Sequence, residues 1–171
     1  AVKSSTPAPC RTMIKDGLKL MMNGTEEDVI KFIDDCRVKF KSLPPEDIAF
    51  PRTCSNVKKY HNYTDIYSKG TPIHARGALL FNHYIKKNNL DKKYSLIGNG
   101  EKIKFLYLKK PNIIRENVIS FIQDFPTELG LDKYIDYDLQ FEKSFVEPLK
   151  AVLDAIGWNV EKTVNLELFF T

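Results

Sequence analysis

At 171 residues, 43% of them hydrophobic, the chain can bury one real core, or one core with a small satellite lobe, without a disulfide or a metal. No run approaches the roughly 18 uninterrupted apolar residues of a membrane helix, and the start AVKSSTPAP lacks the succession of a signal peptide. The reading is a soluble, cytoplasmic chain, either cut from a longer one or processed at its N-terminus. The net charge of +4 conceals an asymmetry: residues 1–51 are balanced, residues 52–110 carry thirteen basic against three acidic side chains, and residues 111–171 carry five against eleven. A basic middle of that kind attracts phosphates by Coulomb steering and counterion release.

In chain order, Thr6 before Pro7 and Pro9 has the chemistry of a helix start, and Cys10, Met13, Ile14, Gly17, Leu18, Met21 and Met22 fall on one stripe of 3.6 period. Gly24 stops that run. Thr25 with Asp28 imitates a capping box, and Val29, Phe32, Ile33, Cys36 and Phe40 form a second stripe that Leu43-Pro44-Pro45 breaks. Helices over 7–24 and 25–42 with so short a link predict an antiparallel hairpin. Ile48 to Arg52 suits a short edge strand, because Pro51 cannot donate to a ladder. Residues 53–70 read as loop with one helical turn, and Thr71-Pro72 opens a third helix. Gly77 in its middle costs up to about 1 kcal/mol against alanine, a cost that close approach by another backbone would justify. Leu96-Ile97, Gly98-Asn99-Gly100 and Ile103 to Leu108 read as a β-hairpin, and residues 113–122 as a further strand or short helix. Leu139 to Ile156 is helical by spacing, with a kink or restart at Pro148 and a stop at Gly157, followed by the tail NVEKTVNLELFFT. The fold class that follows is α+β and mainly helical: a helical hairpin, a basic mixed lobe over 48–122 with a small β-hairpin or short strands, closing helices over 131–157, and a flexible tail from 159.

Groups that do chemistry are scarce. His61, His74 and His83 fit no ligand spacing, no G-x-S-x-G or phosphate loop is present, and the acidic pairs Glu26-Glu27 and Asp34-Asp35 suit outer helix faces. No catalytic residue and no metal ligand is assigned. Cys10, Cys36 and Cys54, without a C-x-x-C pair, read as reduced packing residues. The basic region differs in interleaving its cations with rings and small polar groups: Lys58-Lys59-Tyr60, Tyr63, Tyr67, Ser68-Lys69-Gly70-Thr71, His74 and Arg76. Long cations can bridge phosphates and the start of the third helix can hold another, which suits a duplex backbone and not a sequence reader. At the far C-terminus, Leu166, Leu168, Phe169 and Phe170 form an apolar plug behind a polar linker, suited to a partner's pocket, with a final strand packed on the domain as the alternative.

The order of these pieces resembles the thumb of family B DNA polymerases, above all the T-even phage type. KSSTP at Lys3 to Pro7 looks like the junction into that thumb. IAFPRTCSNVKKYHNY and SKGTPIHARGALLFN resemble its strand, its basic-tyrosine element and its helix opening. GNGEKIKFLYLKKPN resembles its hairpin, YIDYDLQFEKSFVEPLKAVLDAIGW its closing helix, and NLELFF its clamp-binding peptide. The resemblance implies that residues 1–158 form a thumb domain in which Lys3, Ser4, Ser5, Lys58, Lys59, Tyr60, Lys69, His74 and Arg76 hold primer-template DNA. It implies that Leu166, Leu168, Phe169 and Phe170 bind the sliding clamp. The palm, with the catalytic aspartates and Mg2+ of a full polymerase, would precede Ala1, leaving a fragment that binds without catalysing, needs no cofactor of its own and touches no membrane. A stand-alone nucleic-acid adaptor with a partner-binding tail is the alternative; a small independent hydrolase or transferase would need a pocket of convergent chemistry that the sequence does not display.

Overall fold

The computed structural model describes residues 5–62 and 64–155. Its helices are α1 (Ala8–Asn23), α2 (Glu26–Ser42), α3 (Pro45–Ile48), α4 (Ile73–Lys87), α5 (Tyr137–Phe141) and α6 (Glu147–Ala155), and its strands β1 (Phe50–Cys54), β2 (Glu101–Tyr107) and β3 (Val118–Phe121). The architecture is α+β and mainly helical, in two compact units: the segments up to Ile48 and from Tyr137 form one, and Ala49–Asp136 forms the other.

In the helical unit, α1 buries Cys10, Met13, Ile14, Gly17 and Met21, and α2 buries Val29, Ile33, Cys36 and Phe40, so both apolar stripes face inward. Met22, placed on the α1 stripe by its spacing, is instead 81% exposed. It follows buried Met21 directly and is turned about 100° from it around the helix, off the buried side. Thr6 does not cap α1; the cap position is Pro7, whose carbonyl accepts from Arg11 N, while Thr6 itself is buried. The capping box of α2 is complete, with Asp28 N donating to Thr25 Oγ1 at 3.2 Å and Thr25 N to Asp28 Oδ2 at 3.0 Å, worth about 1 kcal/mol. Pro45 does not merely end α2 but opens the one-turn α3, since proline is tolerated where no helical N–H is needed.

Phe40, fully buried, meets Phe141 edge-on at 5.3 Å, and Phe141 stacks on Phe145 at 5.0 Å. Between α5 and α6 the chain widens into a π-helical turn, Glu142–Val146, and α6 restarts at Glu147, directly before Pro148, where the sequence predicts a kink or a restart. The physical cause is the same: proline lacks the N–H and crowds the carbonyl of the preceding turn, and a wider turn relieves both without breaking the helix.

The second unit is built on a three-stranded antiparallel sheet in the order β1-β2-β3. Pro51 lies on β1 opposite Lys104, at the sheet's edge, where a missing donor is tolerated. The sequence expectation of a hairpin from Leu96 to Leu108 is overturned, because residues 96–97 form no strand and β2 pairs with β1 and β3. The backbone of Ile97 has another partner. Its N–H donates to Asn82 Oδ1 at 2.7 Å and its carbonyl accepts from Asn82 Nδ2 at 2.9 Å, so one side chain of α4 takes both bonds that a strand would have made. Residues 113–122, left open between strand and helix, hold β3.

Helix α4 crosses this sheet against β3. A Cβ on Gly77 would come within 2.9 Å of Ser120 N and 3.1 Å of the Ile119 carbonyl carbon, so a glycine in mid-helix is what lets helix and strand meet. The Ser120 hydroxyl completes that contact by donating to the His74 carbonyl at 2.9 Å.

Candidate nucleic-acid interface

The side of α4 away from the sheet carries Leu79, Asn82, His83, Lys86 and Lys87, at helical spacings of three and four. Opposite it lies the loop that opens with the 3-10 turn Val57–Tyr60, and the third wall is Leu96–Asn99, pinned by Asn82. These three segments enclose a cleft of 730 Å³. Val57, Leu79 and Ile97 give it an apolar floor, and Lys58, Lys86 and Lys87, all exposed, stand on its rim with His61 and His83. Among the described residues Asp65 is the one acidic side chain in its lining. Desolvation, then the neighbouring Lys87 and Lys86, hold His83 below the usual histidine range, as expected inside a field of positive charge.

The predicted contact residues divide between that cleft and its neighbourhood. Lys58 lines the cleft, and Lys59 and Tyr60 share its one-turn helix, with the Lys59 ammonium 5.6 Å from the Tyr60 ring centre. Ser68 N donates to the Tyr60 carbonyl at 2.8 Å, which draws exposed Lys69 back beside that turn. His74 is half-buried in the first turn of α4; burial, and after it the Arg52 guanidinium, lower its pKa, favouring the neutral ring.

Arg76 has an internal role. Its guanidinium approaches Glu116 at 3.7 Å and the Tyr67 ring at 5.8 Å, and the Tyr67 hydroxyl donates to Glu116 at 2.6 Å. Burial and that carboxylate push the Tyr67 phenol up. The triad holds the loop before α4 to the loop before β3, so much of the Arg76 charge is already answered. Ser5 lies in the helical unit, in the turn that leads to α1, whereas Lys3, Ser4 and the tail residues Leu166, Leu168, Phe169 and Phe170 lie outside the described residues.

Reading the sequence missed His61, Asn82 and His83 as members of one site. The signal for half of it was available, since Leu79, Asn82, His83 and Lys86 recur as one helical face; the loop and the Leu96–Asn99 wall are brought there only by the fold. Asn112 was missed too: buried, it donates to the carbonyls of Lys109 and Glu116 at 2.8 and 2.7 Å and shapes the loop that displays exposed Lys109 and Lys110.

Cys10, Cys36 and Cys54 are free and buried, and burial raises their thiols to about 12, 11 and 11, far from a reactive thiolate. Among the described residues no cluster of three or more His, Cys, Asp or Glu could hold a metal ion, and no helix is long and apolar enough to cross a membrane.

No protein-family model matches the chain. Two curated proteins are similar to it along nearly its whole length. The DNA-directed DNA polymerase of Enterobacteria phage T4 is 24% identical over 177 aligned residues, covering 98% of this chain and 19% of that protein. The DNA-directed DNA polymerase of Escherichia phage RB69 is 28% identical over 168, covering 96% and 18%. The chain therefore spans less than a fifth of the length of these relatives, and the similarity supports a region related to family B polymerases.

Proposed function

We propose that this chain is the thumb portion of a DNA-directed DNA polymerase, gripping primer-template duplex with its basic unit and tethering the enzyme to a sliding clamp with its C-terminal peptide. The observation that carries the reading is the similarity to two phage polymerases over nearly the full chain, which no single basic or apolar motif could supply. The charge distribution agrees with it, since thirteen cations against three acids fall in residues 52–110.

In this reading Lys58, Lys59 and Lys69 meet phosphates of the duplex and release counterions, while Tyr60 and the half-buried His74 add hydrogen bonds to the backbone. Such contacts position DNA without reading its sequence. In this reading the nucleotidyl transfer, with its carboxylates and Mg2+, is the work of the polymerase palm, in the cytoplasm of an infected host. The contribution of the thumb is to keep the primer end aligned and to slow dissociation, and a clamp-bound tail raises effective concentration at the DNA. Leu166, Leu168, Phe169 and Phe170 supply the apolar anchors for that tether.

The test uses the whole chain and a labelled primer-template duplex at low salt. Replacing Lys58, Lys59 and Lys69 together with alanine weakens binding by about tenfold or more, with no preference among duplex sequences. Leu168→Ala with Phe169→Ala abolishes capture by the cognate clamp and leaves duplex binding unchanged. Unaltered duplex affinity in the triple variant overturns the grip, and unaltered clamp capture overturns the tether.

A further inference from the structure

We propose that the cleft between α4, the loop after β1 and the Leu96–Asn99 wall is a pocket for one nucleotide, taken as a phosphate with its unpaired base. The inference goes beyond the duplex grip and does not depend on it.

Size is the first argument. A cleft of 730 Å³ lies within the roughly 300–1,000 Å³ of small-molecule sites and admits a base with its sugar, but not a base pair held in a stack.

Chemistry is the second argument. Among the described residues no carboxylate lies within ion-pair distance of Lys58, Lys86 or Lys87, so three ammonium groups stand on one rim with Asp65 as the only acid of the lining. An anion is the ligand that such a rim selects. Inorganic phosphate would use the rim and leave the floor of Val57, Leu79 and Ile97 wet, whereas an uncharged apolar ligand would leave the lysines idle. A nucleotide uses both, with its phosphate at the lysines, its flat base over the apolar floor, and the Asn99 amide at the edge to meet base heteroatoms.

Preorganisation is the third. Both backbone groups of Ile97 are bonded to Asn82 on α4, so the wall that would face the base is held in place before any ligand arrives. The same chemistry could come from a free nucleotide or from the unpaired end of a DNA strand, and the experiment separates the two.

The 15N-labelled full chain is titrated with dAMP, with deoxyadenosine and with inorganic phosphate. Duplex binding is measured in parallel for a blunt DNA and for the same DNA with one unpaired 3′ nucleotide. The proposal predicts that dAMP shifts the amide signals of Leu79, Asn82 and Ile97, and that it binds about tenfold more tightly than phosphate or deoxyadenosine, since apolar contact and charge each add to affinity. Lys86→Glu with Lys87→Glu removes the dAMP response. The charge-matched control Lys109→Glu with Lys110→Glu, on another loop, retains it. Tighter binding of the overhang than of the blunt duplex, by about tenfold and lost in the Lys86/Lys87 variant, identifies a strand end as the source; a dAMP response without that gain identifies a free nucleotide. Absence of shifts at the cleft, or phosphate binding as tightly as dAMP, overturns the proposal. Loss of blunt-duplex binding with the dAMP response intact would count against the duplex grip alone.

Discussion

Both units answer some of their cations internally, and the sheet unit also gathers others on one cleft. In the helical unit Asp138 draws both Arg37, at 3.1 Å, and Lys41, at 3.3 Å, and its pKa is lowered because those contacts outweigh its partial burial. In the sheet unit some cations are answered similarly, Arg76 by Glu116 and Lys93 by Glu128, whose carboxyl is held down at about 2 by Tyr94 and Lys93. Among the described residues no carboxylate pairs with Lys58, Lys86 or Lys87, and they are gathered on one cleft. The contrast teaches that sequence-level charge is a poor guide to a binding face until it is known which cations the fold has already neutralised. Arg76, prominent in the sequence, holds two loops together; Lys86 and Lys87, which only flank a helix in the sequence, line the candidate site.

If the helical unit is held chiefly by burial, its largest response is to a cavity. Phe40→Ala, at a fully buried ring between α2 and α5, lowers unfolding free energy by about 3–5 kcal/mol in urea titrations while the basic unit keeps its DNA affinity per folded molecule. A loss below about 1 kcal/mol would show that the ring is not central. The matching probe of the sheet unit is overpacking. Gly77→Val drives side-chain carbon into the Ile119–Ser120 backbone and costs about 2–3 kcal/mol, measured the same way; a neutral result would mean that α4 and β3 can move apart freely.

A smaller effect sharpens the picture of the cleft wall. Asn82→Leu strips the Ile97 N–H and carbonyl of their partners, costs about 2 kcal/mol, and speeds amide exchange at Ile97. Unchanged exchange there would show that the wall stands without α4. The smallest effect is a pH slope. Burial and Arg52 lower the folded-state pKa of His74, so its contribution is complete above the ordinary histidine value of about 6.5 and is lost as pH falls through the folded value. His74→Gln therefore flattens the decline of the urea midpoint on the acid side of pH 6.5, and an unaltered slope would reassign that decline to other groups.

Much of this fold was legible because local chemistry and tertiary packing agree. Thr25 and Asp28 cap α2 where their spacing says they should, Pro51 marks an edge strand, and the cost of Gly77 pointed to the close backbone that β3 provides. The failures have a common cause in long-range partners. Leu96-Ile97 has the composition of a strand, but the asparagine that satisfies it lies fifteen residues away on a helix, and β2 finds its neighbours in β1 and β3. Periodicity could likewise place Arg76 on a helix flank without showing Glu116 beside it. For the candidate site, Lys58, Lys59 and Tyr60 were visible as a basic-aromatic run, whereas the cleft depends on three segments that meet only in the folded chain.

The central claim is that the basic unit binds DNA through phosphates. Its most direct test is the affinity of the full chain for a labelled primer-template duplex across roughly 50 to 200 mM salt. The account predicts that the logarithm of the association constant falls linearly with the logarithm of salt, with a slope of about −3 or steeper. Affinity that stays flat over that range, or no measurable binding at its low end, would contradict it.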